Sequence, residues 1–164
     1  MKAADIRRLC LLALMAALMV ASQIAMAALP NIHLVAVFII VATLAFGWSA
    51  MLSVAVFVLL EGVLFGFGVW WVSYLYAWPV LVFVVMLLRE NTSPLIWAIV
   101  AGAHGLLFGA MCAVPYLFVG GWEMAASYWV AGIPFDLAHC AGNFVLALLL
   151  VEPLSRLAKK YAGM

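Results

Sequence analysis

Apolar runs of membrane length alternate along the chain with short polar breaks. A helix rising 1.5 Å per residue needs roughly 20 apolar residues to cross a hydrocarbon core. Leu9 to Leu29 supplies the first run, interrupted only by Ser22 and Gln23 and closed by Pro30-Asn31. The second runs from Ile32 to Gly47. The third spans Ser49 to Phe65, holds Glu61, and is closed by Gly66-Phe67-Gly68. Trp70 to Leu88 is the fourth, Leu95 to Val119 the fifth (ended by Gly120-Gly121), and the sixth lies within Tyr128 to Val151. The pattern predicts an all-α integral membrane protein with six transmembrane helices in one domain, residues 1–164. No soluble domain, linker or internal repeat stands out.

Charge adds an orientation. The seven basic residues fall in three blocks: Lys2, Arg7 and Arg8; Arg89 within Arg89-Glu90-Asn91-Thr92-Ser93-Pro94; and Arg156, Lys159 and Lys160. Cytoplasmic flanks of membrane helices attract Lys and Arg, so all three blocks are expected on the cytoplasmic side, with both termini. Six crossings satisfy this and leave no basic residue for the outer connections. With 71% hydrophobic and 8% charged residues and a mean hydropathy of +1.32, a water-soluble domain would lack the polar surface to cover itself. The net charge of +1 leaves no basic patch for nucleic acid once these blocks are assigned. Ala25-Met26-Ala27 resembles a signal-cleavage site, but the preceding apolar stretch exceeds the usual core of about 7–15 residues, so the first helix is expected to be retained. Cys10, Cys112 and Cys140 are dispersed, without disulfide or zinc spacing, and read as apolar fillers.

Small residues mark close helix approach. Ala13, Ala17, Ala21 and Ala25 recur every four residues and so line one face of the first helix. Two readings stand: packing within the chain, or a docking groove for another membrane protein. Gly62-Val63-Leu64-Phe65-Gly66 and Gly105-Leu106-Leu107-Phe108-Gly109 share the spacing, and internal packing is expected there.

The few polar residues within the apolar runs are the candidate chemistry. A carboxylate at the bilayer centre costs about 2.5 kcal/mol or more, so Glu61 is expected to face a cavity or a partner. Asp136, His139 and Asn143 share one helix face by their spacing. Pro134 could start a helix there or kink one; a start would put Asp136 in a favourable first turn, and His139 and Asn143 could serve as interhelical hydrogen-bond partners. A shared pocket face accounts for all three together. Trp70, Trp71, Tyr74, Tyr76 and Trp78 cluster at the expected outer start of the fourth crossing. Some belong to an interfacial belt, but with carboxylates at the same depth they also suit a pocket for a flat organic molecule. No GxSxG, HExxH, P-loop or GxGxxG occurs, so catalysis is not expected and no cofactor is implied. A metal site could draw on Glu61, Asp136 and His139 with His104 or His33, but no His-rich or thiolate cluster supports it, and no repeated filter suggests a channel.

Taken together, the chain resembles the substrate-binding S component of energy-coupling factor transporters. The likeness rests on six spans, the alanine spacing, and the stretches Leu29-Pro30-Asn31, Val58-Leu59-Leu60-Glu61-Gly62, Trp70 to Tyr76, and Gly132-Ile133-Pro134-Phe135-Asp136 through His139 to Gly142-Asn143. It implies capture of a vitamin-like micronutrient at the outer face of a prokaryotic plasma membrane. A transmembrane coupling subunit and two ATPase subunits would drive uptake, since the chain itself has no nucleotide-binding motif. It further implies that Ala13, Ala17, Ala21 and Ala25 meet the coupling subunit, and that the connection from Pro30 to His33, with Asn31, gates the pocket. No motif points to riboflavin, thiamine, biotin or cobalt. The competing classes are a stand-alone facilitative or proton-coupled carrier, a metal-ion uptake subunit, and an accessory subunit without ligand.

Overall fold

The computed structural model describes residues 3–29 and 31–162; Lys2 and Pro30 lie outside them. Within these residues six α-helices follow one another: α1 (Ala3–Ala25), α2 (Val35–Phe46), α3 (Ala50–Phe65), α4 (Val69–Leu87), α5 (Pro94–Ala113) and α6 (Tyr116–Ala162). Among the described residues there is no strand. Among the described residues five stretches are long and apolar enough to cross a membrane: Asp5–Ala25, Val35–Phe65, Val69–Leu87, Pro94–Ala113 and Tyr116–Ala162. With the composition, they mark a multi-pass membrane protein.

The second stretch is one run in sequence and two helices in space. A 3-10 turn, Gly47–Ser49, separates α2 from α3, and Gly47 combines a φ of 61° with a ψ of −140°, a backbone that only glycine adopts without strain. Hydrogen bonds fix the directions. Ser53 Oγ donates to Leu12 O at 2.8 Å, and Gln23 Nε2 donates to Glu61 Oε2 at 2.7 Å, so α1 and α3 run side by side in the same sense. Arg8, at the start of α1, donates to Phe46 O at the end of α2 at 3.0 Å and to Ser49 Oγ at 2.7 Å. α2 therefore runs back between them.

α2 is the axis of the bundle. It packs against α1, α3, α4, α5 and α6, and all its residues except Leu44 are buried. That explains its uniform apolarity (VAVFIIVATLAF): a helix enclosed on every side has no polar face to offer. At 12 residues it is only about 18 Å long, shorter than the expected second crossing, and Asn31–Leu34 lead into it without helix. Thr43 spends its hydroxyl on Ile39 O at 2.7 Å, so no polar group of α2 is left unmet by its own helix.

The expected fifth and sixth crossings need redrawing. α5 ends at Ala113, before Pro115, whose missing N–H cannot continue the ladder. Gly120 and Gly121 do not terminate α5; they break α6 near its start, with Gly121 at φ 75°. Pro134 lies inside α6, so Asp136 sits mid-helix and not in a first turn. Beyond the break at Gly121 α6 still runs on to Ala162, roughly 60 Å of helix, longer than a single crossing requires.

Small residues set the helix contacts unevenly. A Cβ on Gly105 would lie 2.8 Å from the His139 backbone, and one on Gly109 would strike the Asp136 carboxylate, so both glycines let α6 close on α5. The Gly62–Gly66 pair works otherwise. Gly62 makes room for Phe67 and Trp71, whereas Gly66, at φ 92°, caps α3 and packs against nothing. On α1, Leu12, Met15, Ala16, Met19 and Val20 are buried, while Ala13, Ala17, Ala21 and Ala25 are all exposed. The alanine face is not used for packing within this chain.

Both ends of the bundle are distinct. Arg8, Arg89 and Lys159, one from each basic block, line a single cavity where α1 begins and α2, α4 and α6 end. The opposite end carries the α1–α2 and α3–α4 connections and the aromatic start of α4.

Candidate functional site

At that opposite end a cavity of about 370 Å³ opens between the end of α1, the connection to α2, and α4. Gln23, Asn31, His33, Phe65 and Tyr74 are among its walls. Asn31 holds a left-handed backbone (φ 56°), which Asn tolerates better than most non-glycine residues, in the connection that leads into α2. Glu61 lies just behind the wall, 1% exposed, and is reached through Gln23.

Deeper in, rings from four elements close a circuit. His33 meets His139 edge-on at 5.1 Å, His139 meets Phe108 at 5.1 Å, Phe108 meets Trp78 at 5.0 Å, and Trp78 returns to His33 at 6.1 Å. His104 lies against Trp78 at 5.4 Å, and Tyr74 joins the cavity to the circuit through Trp78 at 5.5 Å. The arrangement follows from sequence spacing. Tyr74 and Trp78 are one turn apart on α4, as are His104 and Phe108 on α5, so each pair presents two rings to the interior.

Several buried polar atoms here lack a protein partner: Nδ1 of His33 and His104, both ring nitrogens of His139, Nε1 of Trp78, Oδ1 of Asn143 and Oδ2 of Asp136. Elsewhere in proteins most buried polar groups are paired, and leaving one unmet costs about 1–3 kcal/mol. The unmet nitrogens of His33, Trp78, His104 and His139 belong to the ring cluster itself, and polar atoms among aromatic rings are what a flat, hydrogen-bonding molecule would satisfy.

The sequence-derived residues divide into groups. His33, Asn31 and Tyr74 line the cavity; His139 belongs to the ring circuit, with Asn143 one turn below it. Asp136 Oδ1 accepts from Gly109 N at 2.9 Å, and Asn143 Nδ2 donates to Ala101 O at 3.4 Å, so both are held against α5. Glu61 is held against α1, so the two carboxylates bond to different helices. Trp70 is half-buried against Tyr74 at 5.1 Å. Trp71 turns away from the cavity: its Nε1 donates to Val58 O at 2.8 Å and it lines an apolar groove between α3 and α4. Sequence reasoning misses Gln23 and Phe108 as neighbours of the site, places Trp78 only within the outer aromatic cluster, and treats His104 only as a metal ligand. The available signal was that Gln23 and His104 are polar residues inside apolar runs, like Glu61. Among the described residues, no group of three or more His, Cys, Asp or Glu side chains is placed to hold a metal ion. Compared with known proteins, no family model, no curated protein and no solved structure matches the chain.

Proposed function

We propose that this chain is the substrate-binding S component of an energy-coupling factor transporter in a prokaryotic plasma membrane. In this reading it crosses the bilayer six times, keeps its basic end in the cytoplasm, and captures a vitamin-like aromatic or heterocyclic micronutrient from outside. It binds and does not catalyse. A transmembrane coupling subunit and two ATPase subunits supply the work of release. The observation that carries the reading is the set of unpartnered polar atoms among the rings of His33, Trp78, Phe108 and His139, beside a cavity at the end away from the basic residues. The reversal at Gly47–Ser49 supports the count of six, because α2 and α3 then cross separately. The convergence of Arg8, Arg89 and Lys159 supports the orientation. The exposed alanine face of α1 supports a docking partner, since lipid gains nothing from a strip of alanines while a helix can approach it closely.

Reconstitution tests this. The chain is purified, the small molecule that accompanies it is identified by mass spectrometry, and uptake of that molecule into vesicles is followed. Uptake that requires partner subunits and ATP supports the reading. Accumulation by the isolated chain on a proton gradient alone would overturn it in favour of a carrier, with Glu61 or Asp136 taking the proton.

A further inference from the structure

The cavity at the basic end serves no part of the function just described. It measures about 630 Å³ and gathers Arg8 from α1, Arg89 from the α4–α5 connection and Lys159 from the last turns of α6. These residues are far apart in sequence, and the fold brings them to one place. One carboxylate, Glu90, shares the lining and pairs with Arg89 at 3.3 Å. Arg8 is partly spent on Phe46 O and Ser49 Oγ, where it also offsets the negative end of the α2 dipole. Arg156, nearby in sequence, is paired with Glu152 and does not line the cavity. Lys159 has no ion pair among the described residues. Positive charge therefore exceeds negative in a concave site.

The surroundings select the ligand. Leu44, Ala45 and Phe46 form an apolar inner wall, and Ile6, Leu9, Leu87 and Leu88 stand exposed on the adjoining helix ends. A molecule with an anionic head and apolar tails meets both. Basic pockets between helices at a membrane surface take phosphate headgroups on these grounds. We infer that this cavity binds the phosphate of an anionic phospholipid headgroup, with Arg89 and Lys159 as its main contacts and the acyl chains lying along α1 and α4. The inference depends on residence in a bilayer and is independent of the transporter reading.

The test is native mass spectrometry of the full chain released from bilayer discs containing equal phosphatidylglycerol and phosphatidylcholine. The wild type is expected to retain phosphatidylglycerol selectively. The double variant Arg89→Gln/Lys159→Gln is expected to lower that preference about twenty-five-fold, at roughly fivefold per cation. Equal retention of both lipids by the wild type, or an unchanged preference in a variant with normal helical circular dichroism, would overturn the site. If the double variant does not fold, salt titration of the wild type decides: a phosphatidylglycerol preference that salt does not weaken counts against it. A competition arm separates the sources of phosphate. Inorganic phosphate that binds at millimolar concentration and displaces the lipid would overturn the lipid assignment, whereas failure to displace it supports the headgroup.

Discussion

At the scale of single residues, a membrane-length apolar run makes every polar side chain conspicuous. Glu61, Asp136, His139 and Asn143 are all buried, as the cost of a polar group facing lipid requires. Their partners were not legible. Gln23 pairs with Glu61 across 38 positions and Gly109 with Asp136 across 27, separations that no local pattern encodes. Asp136→Asn, His139→Ala and Glu61→Gln are each expected to weaken binding of the accompanying small molecule by about ten- to a hundredfold, the worth of a hydrogen bond to a charged group. Isothermal titration calorimetry on the purified chain measures this. Unchanged affinity in the double variant Asp136→Asn/His139→Ala would return both residues to a packing role.

At the scale of elements, glycine and alanine decide which helices meet. Gly105 touches the His139 backbone, so Gly105→Ala should force α5 and α6 apart at a cost of about 1–3 kcal/mol. A lower thermal unfolding midpoint together with weaker ligand binding is expected, because His139 moves with the backbone. Gly132→Ala, which meets nothing within 4 Å, is the matched control and should leave both unchanged or raise stability slightly. The alanines of α1 behave in the opposite way. Replacing Ala17 and Ala21 with Trp adds bulk on an exposed face, so ligand binding by the isolated chain should survive while partner-dependent uptake in vesicles is lost. Equal loss of both would show that the face serves the fold. The helix boundaries shifted where the composition was ambiguous. Pro134 is compatible with the start or the interior of a helix, and in the fold it lies inside α6, which packs against α5 and α2.

At the scale of the molecule, the two ends differ in charge and in what they enclose. Single cysteines introduced by Asn91→Cys and Phe67→Cys, in a background lacking Cys10, Cys112 and Cys140, report the sides directly. A membrane-impermeant maleimide added to intact cells should label the Phe67→Cys protein, and the Asn91→Cys protein only after permeabilisation. The reverse pattern would invert the orientation and place the cavity beside Asn31 and His33 in the cytoplasm.

Sequence alone determined the all-helical class, the membrane length of the runs, the grouping of basic residues and the list of polar side chains that must turn inward. Each of these follows from the local cost of placing backbone or charge in hydrocarbon, which is paid residue by residue. Tertiary structure decided the rest: that α2 is a short buried axis, that α1 keeps its alanines outside, that Trp71 serves α3 while Trp78 joins His33, His104 and Phe108, and that three distant cations share one cavity. In a soluble helix the polar stripe announces which face is inside; here both faces are apolar, so that signal is nearly erased. Which face turns inward then depends on the fit of side chains contributed by other helices, and that fit exists only once the bundle has closed.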